Sequence, residues 1–213
     1  MNANQTRTQR TRTASRQRRE QEKEELRQTI LAAAAALFLE HGYEAFSLRQ
    51  VAEQIGYSPT TIYLHFDDKT DLLFAVVDDA YADFSRRLQA AYDSTDDPLA
   101  RIRALGDAYV DFGLANPAIY EMIFMHRTEF LVSWRKGEER PRASSLLILQ
   151  RAVVDAQHAG AVRQGDVQSL GDALWAVVHG LVSLSISLPM FDAVRGRASA
   201  EAALNLMIDA MRP

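Results

Sequence analysis

The chain has 213 residues, 47% hydrophobic and 24% charged, which suits a soluble globular protein with one sizeable core or a small domain joined to a larger one. It contains no cysteine, so disulfides and thiolate metal sites are excluded. The formal net charge of −4 is unevenly spread. Arg7, Arg10, Arg12, Arg16, Arg18 and Arg19 lie before the first acidic residue, so a basic end precedes an acidic body and attraction for a polyanion is localised there.

Residues 1–19 are Thr, Gln, Asn, Ser and Arg with almost no apolar side chain, which predicts a disordered basic arm able to follow phosphates or enter a minor groove, or else a solubilising tail. No apolar run follows them, so no secretory signal is expected. Glu20 to His41 reads as a helix with Leu26, Ile30, Ala33, Ala34, Leu37 and Phe38 on one face, ended by Gly42.

The stretch from Ser47 to Lys69, SLRQVAEQIGYSPTTIYLHFDDK, reads as two short helices and a tight turn, a helix-turn-helix. Ser47 and Gln50 have the spacing of a capping box, and Val51, Ala52 and Ile55 share a face. Gly56 suits a left-handed helix end. Ser58 followed by Pro59 restarts the chain as a helix of about two turns reaching His65. Ile62 and Phe66 point inward, leaving Thr60, Thr61, Tyr63 and His65 outside, where hydroxyl, phenol and imidazole groups suit a DNA major groove. Tyr43 and Phe46 bridge the first helix to this unit. Asp68 is placed to cap a following helix that runs to about Tyr92 along Leu73, Val76, Val77, Ala80, Phe84 and Leu88.

Residues Ile30 through Lys69, with LFLEHGYEAFSLRQVAEQIGYSPTTIYLHFDDKTDLL at their heart, resemble the N-terminal domain of TetR-type (tetracycline-repressor-like) transcriptional regulators over about a fifth of the chain. The resemblance implies roles for particular residues. Ser47 corresponds to a phosphate-contacting cap, Arg49 to a side chain that reaches a base, and Thr60 and Thr61 to the opening of the recognition helix. Tyr63 and His65 correspond to outward positions that contact DNA, and Lys69 to a lysine on a phosphate. Asp67 departs from the neutral or basic residue common in the family.

Further on, Asp97-Pro98 and Asn116-Pro117 mark helix starts. Leu99, Ile102, Leu105, Tyr109 and Phe112 line the first of these, and the short helix AIYEMIF follows. His126 to Arg142, charged and holding Gly137 and Pro141, reads as a loop. Ser144 to Ala159 reads as a helix ended by Gly160. Asp166 to Pro189 is the most apolar segment, but Asp172, His179 and several serines interrupt it below the span of about 18 to 20 residues that a membrane helix needs, so no membrane partner is expected. Ala198 to Met211 is the last helix. The resemblance implies that the two terminal helices form a four-helix dimer seam, and WAVVHGLVSL resembles the Trp-His-Gly pattern of one C-terminal subclass.

No phosphate-cradling glycine loop, zinc-protease motif or nucleophile elbow is present, so no enzyme activity, catalytic residue or cofactor is expected. His126, His158 and His179 lack a paired ligand at helical spacing, so no metal is expected, and His179 suits a core histidine bonded to a carbonyl. Tyr109, Phe112, Tyr120, Met122, Met125, Trp175 and His179 have the composition of a pocket for a mostly apolar effector, and equally that of a plain core.

The resulting expectation is an all-α protein: an arm over 1–19, a three-helix DNA-binding domain over 20–70, and a larger helical dimerisation and effector-binding domain over 71–213. Its expected role is that of a cytoplasmic homodimeric repressor released from a near-palindromic double-stranded operator by a small molecule. An architectural DNA-binding protein without an effector, and a sequestering protein that no longer binds DNA, are the competing readings.

Overall fold

A computed structural model describes residues 3–125 and 141–213. Every element among them is helical: α1 (Ala3–Ala45), α2 (Leu48–Ile55), α3 (Pro59–Tyr63), α4 (Lys69–Asp93), α5 (Pro98–Ala115) and α6 (Pro117–Tyr120), then a π-helical turn (Glu121–Met125), α7 (Pro141–His158), α8 (Val167–Ser187) and α9 (Ala193–Met211). The chain forms two compact units, 1–76 and 77–213, divided inside α4 rather than at residue 70. The difference is about a turn and a half of helix: Leu72, Leu73 and Val76, which open α4, are buried.

In the first unit α2 packs on α1 and α3 on α2. Ile30, Leu37, Phe38, Phe46, Leu48, Val51, Ile62 and Phe66 are buried there as the apolar periodicity predicts, whereas Ile55 is only half-buried. Gly42 breaks α1 with φ 71°, a left-handed conformation that glycine adopts without strain. One expectation is corrected at the other end of α1. Its backbone is helical from Ala3, so the arm over 1–19 is not a structureless segment but, from residue 3, the opening of the long helix that runs up to the break at Gly42. The physical reason is that no glycine or proline precedes Gly42, and extending a helix already nucleated costs little. Arg16–Glu20 and Arg18–Glu22 pairs at 2.8 and 3.2 Å add i,i+4 support.

In the second unit α5 is central, packing on α7, α8 and α9, while α8 also packs on α7 and α9. Close approach of α5 needs two glycines. A Cβ on Gly106 would come within 2.6 Å of Leu204 in α9, and one on Gly113 would collide with Val182 in α8. The far end of α4 is pinned to α5 and α7: Tyr92 donates to Asp155, which also pairs with Arg101 at 3.3 Å, and the guanidinium groups of Arg101 and Arg151 lie 4.4 and 4.6 Å from the Tyr92 ring centre.

Several boundaries differ from expectation. Residues 126–140 of the expected loop lie outside the described residues, and α7 already begins at Pro141 rather than Ser144. α9 begins five residues before Ala198, because Asp192 accepts the Arg195 N–H at 2.8 Å and supplies a cap. α8 is long and apolar enough to cross a membrane by length and composition, yet Gly171, Leu174, Val178 and Val182 along it are buried within the helical unit.

Candidate functional site

The reading surface is built by short-range capping. Ser47 Oγ accepts the Gln50 N–H at 3.3 Å and donates to Gln50 Oε1 at 2.7 Å, locking the start of α2. Gly56, φ 72°, closes α2 and donates its N–H back to Glu53 at 3.2 Å. Ser58 Oγ then accepts the Thr61 N–H at 3.2 Å and sits 2.9 Å from the Thr61 hydroxyl. Asp68 takes the N–H groups of Thr70 and Asp71 at 2.7 and 2.9 Å, and Asp71 reaches back to the Asp67 N–H at 3.1 Å. This reciprocal pair fixes where α4 starts and therefore where Lys69 stands.

On that frame Arg49, Thr60 and Tyr63 are exposed, Tyr63 by 58%, while Ser47, Thr61, His65 and Lys69 are half-buried. The seven residues share one short segment, but their freedom differs. Thr61 already engages the Ser58 hydroxyl, and α3 ends at Tyr63, so His65 lies in a tightened turn whose N–H bonds Ile62 at 2.9 Å instead of continuing the helix. Burial first, then the nearby positive charges of Lys23 and Arg27, holds the His65 imidazole below its usual pKa. Two exposed side chains escape the sequence argument: Tyr57 and Leu64, the latter 79% exposed. Their signal is position alone, Tyr57 directly after the helix-ending Gly56 and Leu64 between the inward Ile62 and Phe66.

The second unit holds a cavity of about 320 Å³ lined by α4, α5, the π-helical turn, α7, α8 and α9. Of the seven expected ligand residues, Tyr109, Trp175 and His179 line it. Phe112, Tyr120, Met122 and Met125 are not among the lining residues: Phe112, Tyr120 and Met122 are buried in packing, and Met125 is 36% exposed. The wall is completed by residues that composition leaves as plain core, chiefly Tyr81, Phe84 and Leu88 of α4, Phe124, Leu174 and Val178. The spacing of Tyr81, Phe84 and Leu88 along one helix face is the signal that points to them.

Tyr120 serves from behind the wall. Its hydroxyl lies 2.6 Å from His179 Nδ1 and 3.0 Å from the Tyr109 hydroxyl, which is itself 3.0 Å from the same nitrogen and receives the Trp175 N–H at 3.2 Å. His179 is therefore held by two tyrosines and not by the carbonyl that a core histidine commonly takes. Burial pushes the Tyr120 hydroxyl up to about 12, raises Tyr109 further, and lowers His179, so all three are neutral at pH 7. Among the described residues no group of three or more His, Asp or Glu could hold a metal ion. Uncharged hydrogen bonding in an apolar wall equips this site to hold a molecule.

Comparison with known proteins agrees with both halves. Residues 30–76 match the model for bacterial regulatory proteins of the tetR family, and residues 102–211 match the tetracyclin repressor-like C-terminal domain. The chain is 28% identical over 177 residues to the probable HTH-type transcriptional regulator ArpR of Pseudomonas putida, covering 78% of this chain and 82% of that protein. It is 31% identical over 100 residues to the HTH-type transcriptional activator FasR of Mycolicibacterium smegmatis, spanning 47% of this chain and 46% of that one. Among solved structures it resembles the regulator PfmR of Thermus thermophilus in fold, with a TM-score of 0.68 at 22% identity over 84% of this chain and 97% of that one. A helix-turn-helix followed by a helical C-terminal domain, each matching its counterpart, identifies this chain as a member of the TetR family of DNA-binding transcriptional regulators, which are not enzymes.

Proposed function

We propose that the chain acts in the cytoplasm as a homodimeric repressor that binds a near-palindromic operator and is released from it by a small, mostly apolar effector. The observation that carries this reading is the course of α4. Its first turns belong to the DNA-binding unit, and its later residues Tyr81, Phe84 and Leu88 wall the cavity. An effector that binds better to one placement of α4 shifts the population of that placement by the ratio of its two affinities, and only by that ratio.

The expected DNA contacts are Ser47, Arg49, Thr60, Thr61, Tyr63, His65 and Lys69, presented twice by the dimer at a spacing of about 34 Å, one DNA turn. Dimerisation is supported by apolar side chains left outside on the two terminal helices: Leu184 of α8, and Val194 and Leu206 of α9. Tyr109, Trp175 and His179 would face the effector. Phe112, Tyr120, Met122 and Met125 would act on it only through their neighbours.

The test is selection of bound sequences from random DNA by the full-length protein, followed by a screen of metabolites for release. Enrichment of a two-fold-related site about one turn between half-site centres, and its loss with a small molecule, is the expected result. Enrichment of no sequence would overturn the reading. The relative named as an activator favours a second reading, in which the same binding recruits transcription. In vitro transcription from the selected site separates the two: repression predicts less transcript on adding protein, activation more.

A further inference from the structure

The hydrogen bonds around the cavity restrict what can occupy it. Every polar side-chain group on the described wall but one already has a partner. The Tyr81 hydroxyl donates to the Ile123 carbonyl at 3.1 Å, Trp175 spends its single N–H on Tyr109, and Tyr109 is shared between Tyr120 and His179. Ser145 is also engaged. The exception is Nε2 of His179. Its ring lines the cavity, the two tyrosines occupy Nδ1, and no group among the described residues bonds Nε2.

The order of the bonds supports one tautomer. Trp175 donates to the Tyr109 hydroxyl, and a relay in which Tyr109 O–H donates to Tyr120 and Tyr120 O–H to Nδ1 at 2.6 Å makes that nitrogen the acceptor and assigns the ring proton to Nε2; the Tyr120 hydroxyl also lies 3.3 Å from the His179 carbonyl. In this arrangement the Nε2–H of His179 is the wall donor left for a ligand among the described residues. None of the described lining residues is Asp, Glu, Lys or Arg, so an ionised ligand group would be buried against this wall without a counter-charge. The volume of about 320 Å³ is near the lower end of ligand pockets. It holds on the order of ten water-sized volumes, which suits about ten to fifteen heavy atoms.

We propose that the effector is an uncharged carbonyl compound with an apolar tail, of the ketone, ester or lactone type, whose oxygen accepts a hydrogen bond from His179 Nε2, and that the corresponding carboxylates are rejected. This rests on the ligand-responsive reading above and goes further by naming the class. Tyr109 and Tyr120 are positioning residues in this scheme, because they set the tautomer and aim the ring without meeting the ligand's oxygen.

The test is calorimetric titration of the full-length protein at pH 7.5 with three probes of matched length: 2-nonanone, octanoate and nonane. The ketone should bind at least about tenfold more tightly than octanoate and about fivefold more tightly than nonane, the span expected of one neutral hydrogen bond and one unpaired charge. His179→Phe should bring 2-nonanone down to the affinity of nonane while leaving nonane unchanged, and His179→Gln, which retains an N–H, should restore part of the difference. Octanoate binding as tightly as 2-nonanone to the wild type would overturn the assigned class, with the ligand-responsive reading intact. A ketone preference that survives in His179→Phe would do the same. Failure of all three probes to bind the wild type would instead remove the ligand-responsive reading, and the class with it.

Discussion

The two functional regions place their side chains by opposite means. In the DNA-reading unit the fixing bonds are three or four residues long: Ser47 to Gln50, Ser58 to Thr61, Asp67 to Asp71. In the cavity, His179 is held by partners 70 and 59 residues away, Tyr109 and Tyr120. The first region keeps its geometry wherever its short helices form and leaves its polar groups outward for a partner. The second exists only when α5, α6 and α8 pack together, and it turns its polar groups on one another. A local frame suits a rigid reader, and a frame assembled from distant helices suits a site that must respond to what fills it.

The largest expected effect comes from breaking what would unite two copies of both regions. Leu184→Glu with Leu206→Glu places charge on the exposed apolar faces of α8 and α9. The variant should sediment as a monomer and lose about a hundredfold or more in operator affinity, since the second half-site no longer binds as an intramolecular event. A dimer with unchanged affinity would move the seam elsewhere.

Next is the basic extension of α1. Deleting residues 1–19 should reduce the steepness of the dependence of log affinity on log salt by about two, the loss of two or more phosphate contacts. An unchanged slope would make the extension a spectator and leave the electrostatics to Arg49 and Lys69.

Tyr63→Ala tests the local frame itself. Because Tyr63 is exposed and no cap depends on it, operator affinity should fall about tenfold while Tm moves by about 1 °C or less. Equal affinity for mutant and wild type would remove Tyr63 from the reading surface.

The same contrast explains what can be read from the amino acids alone. Every cap of the helix-turn-helix is written within four residues, so Ser47, Gly56, Ser58-Pro59 and Asp68 announce their roles and the all-α, two-part architecture follows. The lower end of α3 is less legible, because Leu64 and His65 keep helical periodicity while their bonds tighten into a turn. The arm misleads for a related reason: composition weighs the entropy of ordering a free segment, and this one continues a helix nucleated elsewhere. In the cavity, bulk and polarity single out Tyr109, Trp175 and His179. They cannot separate a lining Phe84 from a packed Phe112, since that depends on where other helices leave a gap. The contact of Tyr120 with His179, 59 residues apart, has no local signature at all.

Tyr109→Phe probes the assembled frame. It leaves the Trp175 N–H without its acceptor and His179 with one tyrosine. The expected cost is about 1–2 kcal/mol of stability, a Tm lower by about 3–6 °C. Operator affinity without effector should stay within about twofold, because none of the expected DNA contacts depends on this hydroxyl. A comparable loss of DNA binding would show that the cavity is coupled to the reader even when empty.

The smallest effect distinguishes the regions by proton. His65 in one and His179 in the other are both held below the usual histidine pKa, in each case first by burial, with Lys23 and Arg27 adding to the shift at His65. A depressed folded pKa means that the unfolded chain binds more protons between the two values. The resulting stability is full above the unfolded value of about 6.5 and is lost as pH falls through the lower folded value. Tm should therefore decline on acidification from pH 7.5, and His65→Gln and His179→Gln should each flatten part of the decline. Operator DNA should separate the parts. Phosphates near His65 favour its charged form and oppose its shift, so the portion removed by His65→Gln should shrink in the complex. The portion removed by His179→Gln should persist, because no phosphate enters an apolar cavity. If DNA suppresses both portions equally, His179 senses the operator through the protein, and the division between a local reader and an assembled receptor fails at that residue.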